Sequence, residues 1–345
     1  MTDFTSRQIA DGALGEIILI GSISFESRSL ALAEAVGPAS LARWICLKNR
    51  DIEMSVEQIE RRANEIAAEA GIALEIEETT RRDPLSVADA IRRILEAIGE
   101  TSRPIVVDVS AMTHETALMV VAGVSELAPS WSDLRYAYNA AGQYGGNDRD
   151  SSQRWLSRGI QCVRSVVGYS GLWSPGDKAT LVALPGFDLE RVRRIVDEIE
   201  PDRVIVGVAR PSQPEHEWMY ARNHEVARSI TAARDGVVFE YGALDPIDAA
   251  RQVAKALEGV DHNVIIAPLN TKVSTIAVGM LALANSDWQV CYAPALVYNI
   301  HYSKHSECFQ AFGHDELVAS IAPFARASTR IDIAAVDRLF VAGED

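Results

Sequence analysis

The chain has 345 residues, 48% of them apolar and 23% charged, which is enough to bury one large core or two of ordinary size. Its formal charge of −15 argues against a general nucleic-acid binder, because a surface that tracks phosphates needs an excess of Lys and Arg. A small anion held in a locally basic pocket is still compatible with that charge. No stretch stays apolar for the ~18 residues of a membrane span, and residues 1–13 lack a secretory pattern. The cysteines Cys46, Cys162, Cys291 and Cys308 form no CxxC pair, so the reading is a cytoplasmic protein with free thiols and no membrane contact.

Strand and helix then alternate along the chain. Residues 16–22 (EIILIGS) form an apolar run suited to a strand buried on both faces, and residues 27–36 have helical spacing ended by Gly37-Pro38. A strand over 41–47, a charged amphipathic helix over 56–70 and a short strand over 73–77 follow. Asp83-Pro84 opens a helix to about residue 98, with Asp as N-cap and Pro in the first turn. A strand over 104–109, a helix over 113–127 and a strand over 134–139 complete the first half. In the second half, strands are expected over 180–184, 203–209, 237–241, 263–268 and 288–293. Helices are expected between them, the third opened by Asp245-Pro246. Residues 315–339 read as one or two amphipathic helices.

The halves match in order. Phe25-Glu26 corresponds to Phe187-Asp188, Asp83-Pro84 to Asp245-Pro246, and VVDVSAMTHETALMVV to IAPLNTKVSTIAVGML, which sets Lys272 against Met112. The expected architecture is α/β: two tandem Rossmann-like, doubly wound parallel-sheet units related by internal duplication. Residues 1–141 make the first unit, 142–178 a connector that begins as a mobile loop, and 179–345 the second unit with a helical extension.

In such sheets ligands bind beyond the carboxyl ends of strands one and four. That rule selects Ser22, Ser24, Glu26, Arg28, Asp108, Ser110, Thr113 and His114 in the first half. In the second it selects Asp188, Asn270, Thr271 and Lys272. Hydroxyls and amides leading into a helix N-terminus suit an anion, with Lys272 and Arg28 supplying charge. The same hydroxyls are equally consistent with helix capping, and Asp108 with bracing its own turn. Glu26, Asp108 and Asp188 are also candidate bases. His216 and His224 lack metal-ligand spacing, and Trp218, Met219 and Tyr220 read as packing. GxGxxG, GK[ST] and GxSxG are all absent, so no cofactor and no metal are expected.

The tandem units, and the Thr271-Lys272 ending of the loop after the fourth strand, resemble the CARF and SAVED sensor domains of prokaryotic antiviral systems. That resemblance implies a phosphorylated nucleotide, cyclic forms included, bound across the pseudo-two-fold. Thr271 and Lys272 would contact phosphate, while Ser22, Ser24, Ser110 and Thr113 would line the other half. Since two units account for the chain, it also implies a stand-alone sensor, a subunit signalling to a protein partner or a second copy, or an enzyme degrading the signal. Two alternatives stay open beside nucleotide sensing. One is a phosphodiesterase or nucleotide hydrolase with Asp108 or His114 as base, the other a non-catalytic partner subunit.

Overall fold

The computed structural model describes residues 15–51, 56–144, 155–186, 189–213, 216–300 and 303–326. The first half runs β1 (Ile17–Ile23), α1 (Arg28–Val36), β2 (Leu41–Asn49), α2 (Val56–Glu69), β3 (Leu74–Thr79), α3 (Pro84–Ile98), β4 (Ile105–Asp108), α4 (His114–Leu127) and β5 (Leu134–Tyr144). Two short strands follow, β6 (Ser157–Ile160) and β7 (Arg164–Ser165). The second half runs β8 (Ala179–Leu184), α5 (Leu189–Ile199), β9 (Arg203–Arg210), α6 (Glu217–Ala232), β10 (Val237–Gly242), α7 (Pro246–Ala256), β11 (Asn263–Pro268), α8 (Lys272–Ala284) and β12 (Gln289–Tyr292). Then come β13 (Ala295–Tyr298), β14 (Ser303–Gly313) and α9 (His314–Ile321).

Twelve of the described strands form two six-stranded sheets, ordered β14-β5-β4-β1-β2-β3 and β7-β12-β11-β8-β9-β10, and β6 pairs antiparallel with β13. Five strands of each are parallel, with the first and fourth of each half side by side at the centre. The sixth strand of each sheet is an antiparallel edge. This is the α/β architecture of Rossmann-like units, and both sheets share one strand order.

Every residue of β1 is buried, and its alternation explains why Ile17 to Ile20 are apolar without a break. Ile17 and Leu19 pack with Trp44, Cys46 and α1 and α2, whereas Ile18 and Ile20 face α3 and α4. Asp83 and Asp245 cap their helices as expected, accepting from the amides of Leu85 (3.0 Å) and Ile247 (3.1 Å). The core behind α3 and α4 continues without a break into the second half, because α4 packs on α8. Gly279 of α8 permits that approach: a Cβ there would lie 2.8 Å from Leu118 Cδ2 and 3.0 Å from the Tyr169 hydroxyl.

Two sequence readings change. Residues 142–178 are more than a connector, since β5 runs on to Tyr144 and β6 and β7 lie within this span; the expected mobile loop falls largely outside the described residues. The segment 303–313 is β14, which returns to pair with β5 of the first sheet. Of the helices expected over 315–339, α9 is present, and residues 327–339 lie outside the described residues. No helix among the described residues is long and apolar enough to cross a membrane.

Candidate functional site

The loops at the carboxyl ends of the two sheets meet in one open cleft. Glu26, Arg28 and His114 reach it from the first half, and Asn270, Thr271 and Lys272 from the second. Each is placed by its own turn. Glu26 and Arg28 follow β1, while His114 and Lys272 are the first residues of α4 and α8, directly after the N-caps Thr113 and Thr271. Thr113 accepts from the Thr116 amide (3.0 Å) and Thr271 from the Ser274 amide (3.2 Å). Thr271 also donates to the Ala243 carbonyl.

The caps correct the pairing of the two halves. The cap Thr113 lies five positions beyond the end of β4, and Thr271 lies three beyond the end of β11. His114, rather than Met112, therefore stands where Lys272 stands in the other half, and Met112 is buried in the core.

Arg28 Nε donates to Glu26 Oε2 at 2.9 Å, and Arg28 Nη1 donates to the Asn139 carbonyl at 2.9 Å. Ser303 donates to the same Glu26 oxygen at 2.7 Å. Burial acts to raise the Glu26 carboxyl, but the Arg28 charge and hydrogen bond outweigh it, with Ser303 and Lys272 helping to hold it below its ordinary value. Burial pushes the Lys272 ammonium down to about 8; repulsion from Arg28 and Arg191 adds to this, and Glu26 opposes it. His114 is held well below its ordinary value by burial, then by Lys272 and Arg191. Its imidazole is therefore neutral, with Nδ1 2.7 Å from Thr275 Oγ1 across the two halves.

Arg191, at 3% exposure, donates through Nε to the Ala293 carbonyl (2.9 Å) and lies over the Tyr292 ring. Arg28 and Lys272 thus flank one carboxylate, Glu26, while Arg191 lies close enough to Lys272 to repel it. This end of the cleft is positive inside a strongly acidic chain, an arrangement suited to an anion. Asn270 donates to the Pro185 carbonyl (2.9 Å), tying the loop after β11 to the loop after β8. Gly186 allows that approach, because a Cβ there would sit 2.8 Å from the Leu269 carbonyl oxygen.

The other selected residues among those described do not line the cleft. Asp108 is buried and accepts from the Ser110 amide (2.9 Å) and hydroxyl, while Ser110 Oγ accepts from the Asn139 amide (2.8 Å). Burial pushes the Asp108 carboxyl up to about 6 against the Ser110 bonds and Arg28. It braces its own turn and presents no base to the cleft. Ser22 near the end of β1 and Ser24 just after it are buried, Thr113 is a cap, and Asp188 lies outside the described residues.

The rule of strands one and four missed the opposite wall. Ala209 and Arg210 at the end of β9, residues 211–213 after it, Ala243 and Leu244 after β10, and His216 and Met219 at the start of α6 all line the cleft. Tyr138 of β5 adds to the first-half side. The juxtaposition of Pro211, His216 and Met219 within one short stretch was the available signal, since it mixes apolar surface with polar tips ahead of a helix. Among the described residues no cluster of His, Cys, Asp and Glu could hold a metal ion. No family model matches the chain, and no curated protein matches it either.

Proposed function

We propose that the chain is a nucleotide-sensing module that holds a phosphorylated nucleotide in the cleft between its two Rossmann-like units. The observation that carries this reading is the convergence of Glu26, Arg28 and His114 with Asn270, Thr271 and Lys272 in one cleft. Lys272 and the α8 N-terminus offer a positive end for phosphate, and backbone amides there add donors. The shared strand order of the sheets supports descent of the two units from one by duplication. Resemblance to CARF and SAVED domains makes antiviral signalling the biological setting, with the signal passing to a protein partner or to a second copy of the chain. Catalysis has less support, because Asp108 is sequestered and the Nδ1 of His114 is engaged by Thr275.

Thermal-shift and calorimetric titration of the full chain with a nucleotide panel tests the reading. At least one phosphorylated nucleotide should raise the melting temperature by several degrees, as ligand at ~100 times its Kd contributes about 2.7 kcal/mol. Lys272→Ala should abolish that shift. A shift that survives the substitution would overturn the pocket.

A further inference from the structure

The cleft is built unequally from the two halves. In the second half, all four loops after β8, β9, β10 and β11 reach it. In the first half, among the described residues, the loops after β2 and β3 do not; they contribute none of Arg50, Asp51 or residues 80–83. Those loops are closed by other partners. Arg81 donates to the carbonyls of Ala295 (3.0 Å) and Leu296 (3.2 Å), which lie in β13. Tyr298, also in β13, sits between the Arg81 guanidinium (5.7 Å to the ring centre) and the Phe25 ring (6.2 Å). Thr80 donates to Asp51, which Arg82 also approaches at 4.0 Å, so this sheet end is closed by its own contacts. The position that mirrors Lys272 is His114, kept neutral by burial.

From this asymmetry, and resting on the nucleotide reading above, we infer that the ligand is unsymmetrical: a nucleoside monophosphate with one anionic end and one flat, uncharged end. Its phosphate lies at Lys272, Arg28 and the α8 N-terminus. Its base lies on the second unit, against Pro211, Met219 and Leu244, where Gln213 and His216 offer polar atoms to base edges. A two-fold-symmetric cyclic dinucleotide would need an equal half-site on the first unit. There β13 fills the sheet end, and a second phosphate would meet His114, whose Nδ1 is already held by Thr275, instead of a lysine.

Calorimetric titration of the full chain with the four ribonucleoside 5′-monophosphates, cyclic di-AMP and cyclic di-GMP decides the matter. At least one monophosphate should bind one per chain and more tightly than either cyclic dinucleotide. Lys272→Ala should weaken it at least tenfold and Met219→Ala at least threefold, while Tyr298→Ala, outside the cleft, should leave it unchanged. Tighter binding of a cyclic dinucleotide that is lost in Lys272→Ala would overturn the unsymmetrical ligand and keep the nucleotide reading. So would monophosphate binding indifferent to Met219→Ala. No binding by any nucleotide, in wild type and variants alike, would overturn the nucleotide reading itself.

Discussion

Lys272 carries a stability cost that its position imposes. Its value in the fold, about 8, lies below the 10.5 of an ordinary lysine, so between these values the unfolded chain binds a proton that the folded chain does not. Stability contributed by this group therefore rises as pH climbs from about 8 to 10.5, and at pH 7 the half-buried charge opposes folding. Replacing it with an uncharged chain of similar length should relieve that. Lys272→Met is expected to raise the melting temperature by about 2–4 °C at pH 7, an advantage that shrinks by pH 10. Scanning calorimetry of both proteins at the two pH values checks this, and an equal or lower melting point for the variant at pH 7 would refute it. A residue that costs stability where it stands is one whose charge serves something other than the fold. His114, at the mirror position, has resolved the same burial by giving up its proton.

At the scale of elements, the strands that were readable are those buried on both faces. β1, β8 and β11 are mostly apolar runs, buried along their whole length, and Asp-Pro marks the starts of α3 and α7 through capping that depends only on local sequence. β14 was not readable. Its sequence, SKHSECFQAFG, belongs to a polar antiparallel edge, and its partner β5 lies far upstream, so only the folded sheet reveals the pairing. The same limit applies to the cleft. Residues at the ends of strands one and four were identifiable from topology, but the wall after β9 and β10 depends on how the halves dock. That docking rests on α4 against α8, where Tyr169 donates to the Leu118 carbonyl (2.9 Å) and Gly279 leaves room for both. Gly279→Ala should be nearly neutral, since a helix-propensity gain of roughly 1 kcal/mol offsets a small shift of the Leu118 side chain. Gly279→Leu has no such room and should cost about 2–3 kcal/mol by overpacking. Urea unfolding of the pair measures both; equal stability of the two variants would show that α4 and α8 do not pack as described.

Across the whole molecule, the sheets are completed by strands from the far side of the sequence. β14, beyond the second half, pairs with β5 of the first sheet along most of its length. β7, from between the halves, edges the second sheet through Cys291 and Tyr292, yet its Arg164 makes a two-pronged bond to Glu115 of α4, both at 2.8 Å, and donates to the Arg81 carbonyl (2.8 Å). With Arg164 and Glu115 largely shielded from water, removing either partner would strand the other's charge. Neither sheet is therefore complete within one continuous half of the chain, and the core joining them is unbroken. Separating the halves should expose the β5 edge and the α4 face together, both of which invite aggregation. Residues 1–150 expressed alone are expected to be insoluble, whereas co-expression with residues 151–345 should give a soluble one-to-one complex on size exclusion. The complex should melt in a single transition, because the shared core couples both sheets. A soluble, cooperatively melting 1–150 fragment would mean that the first sheet stands without β14, and that the cleft lies between two bodies free to separate.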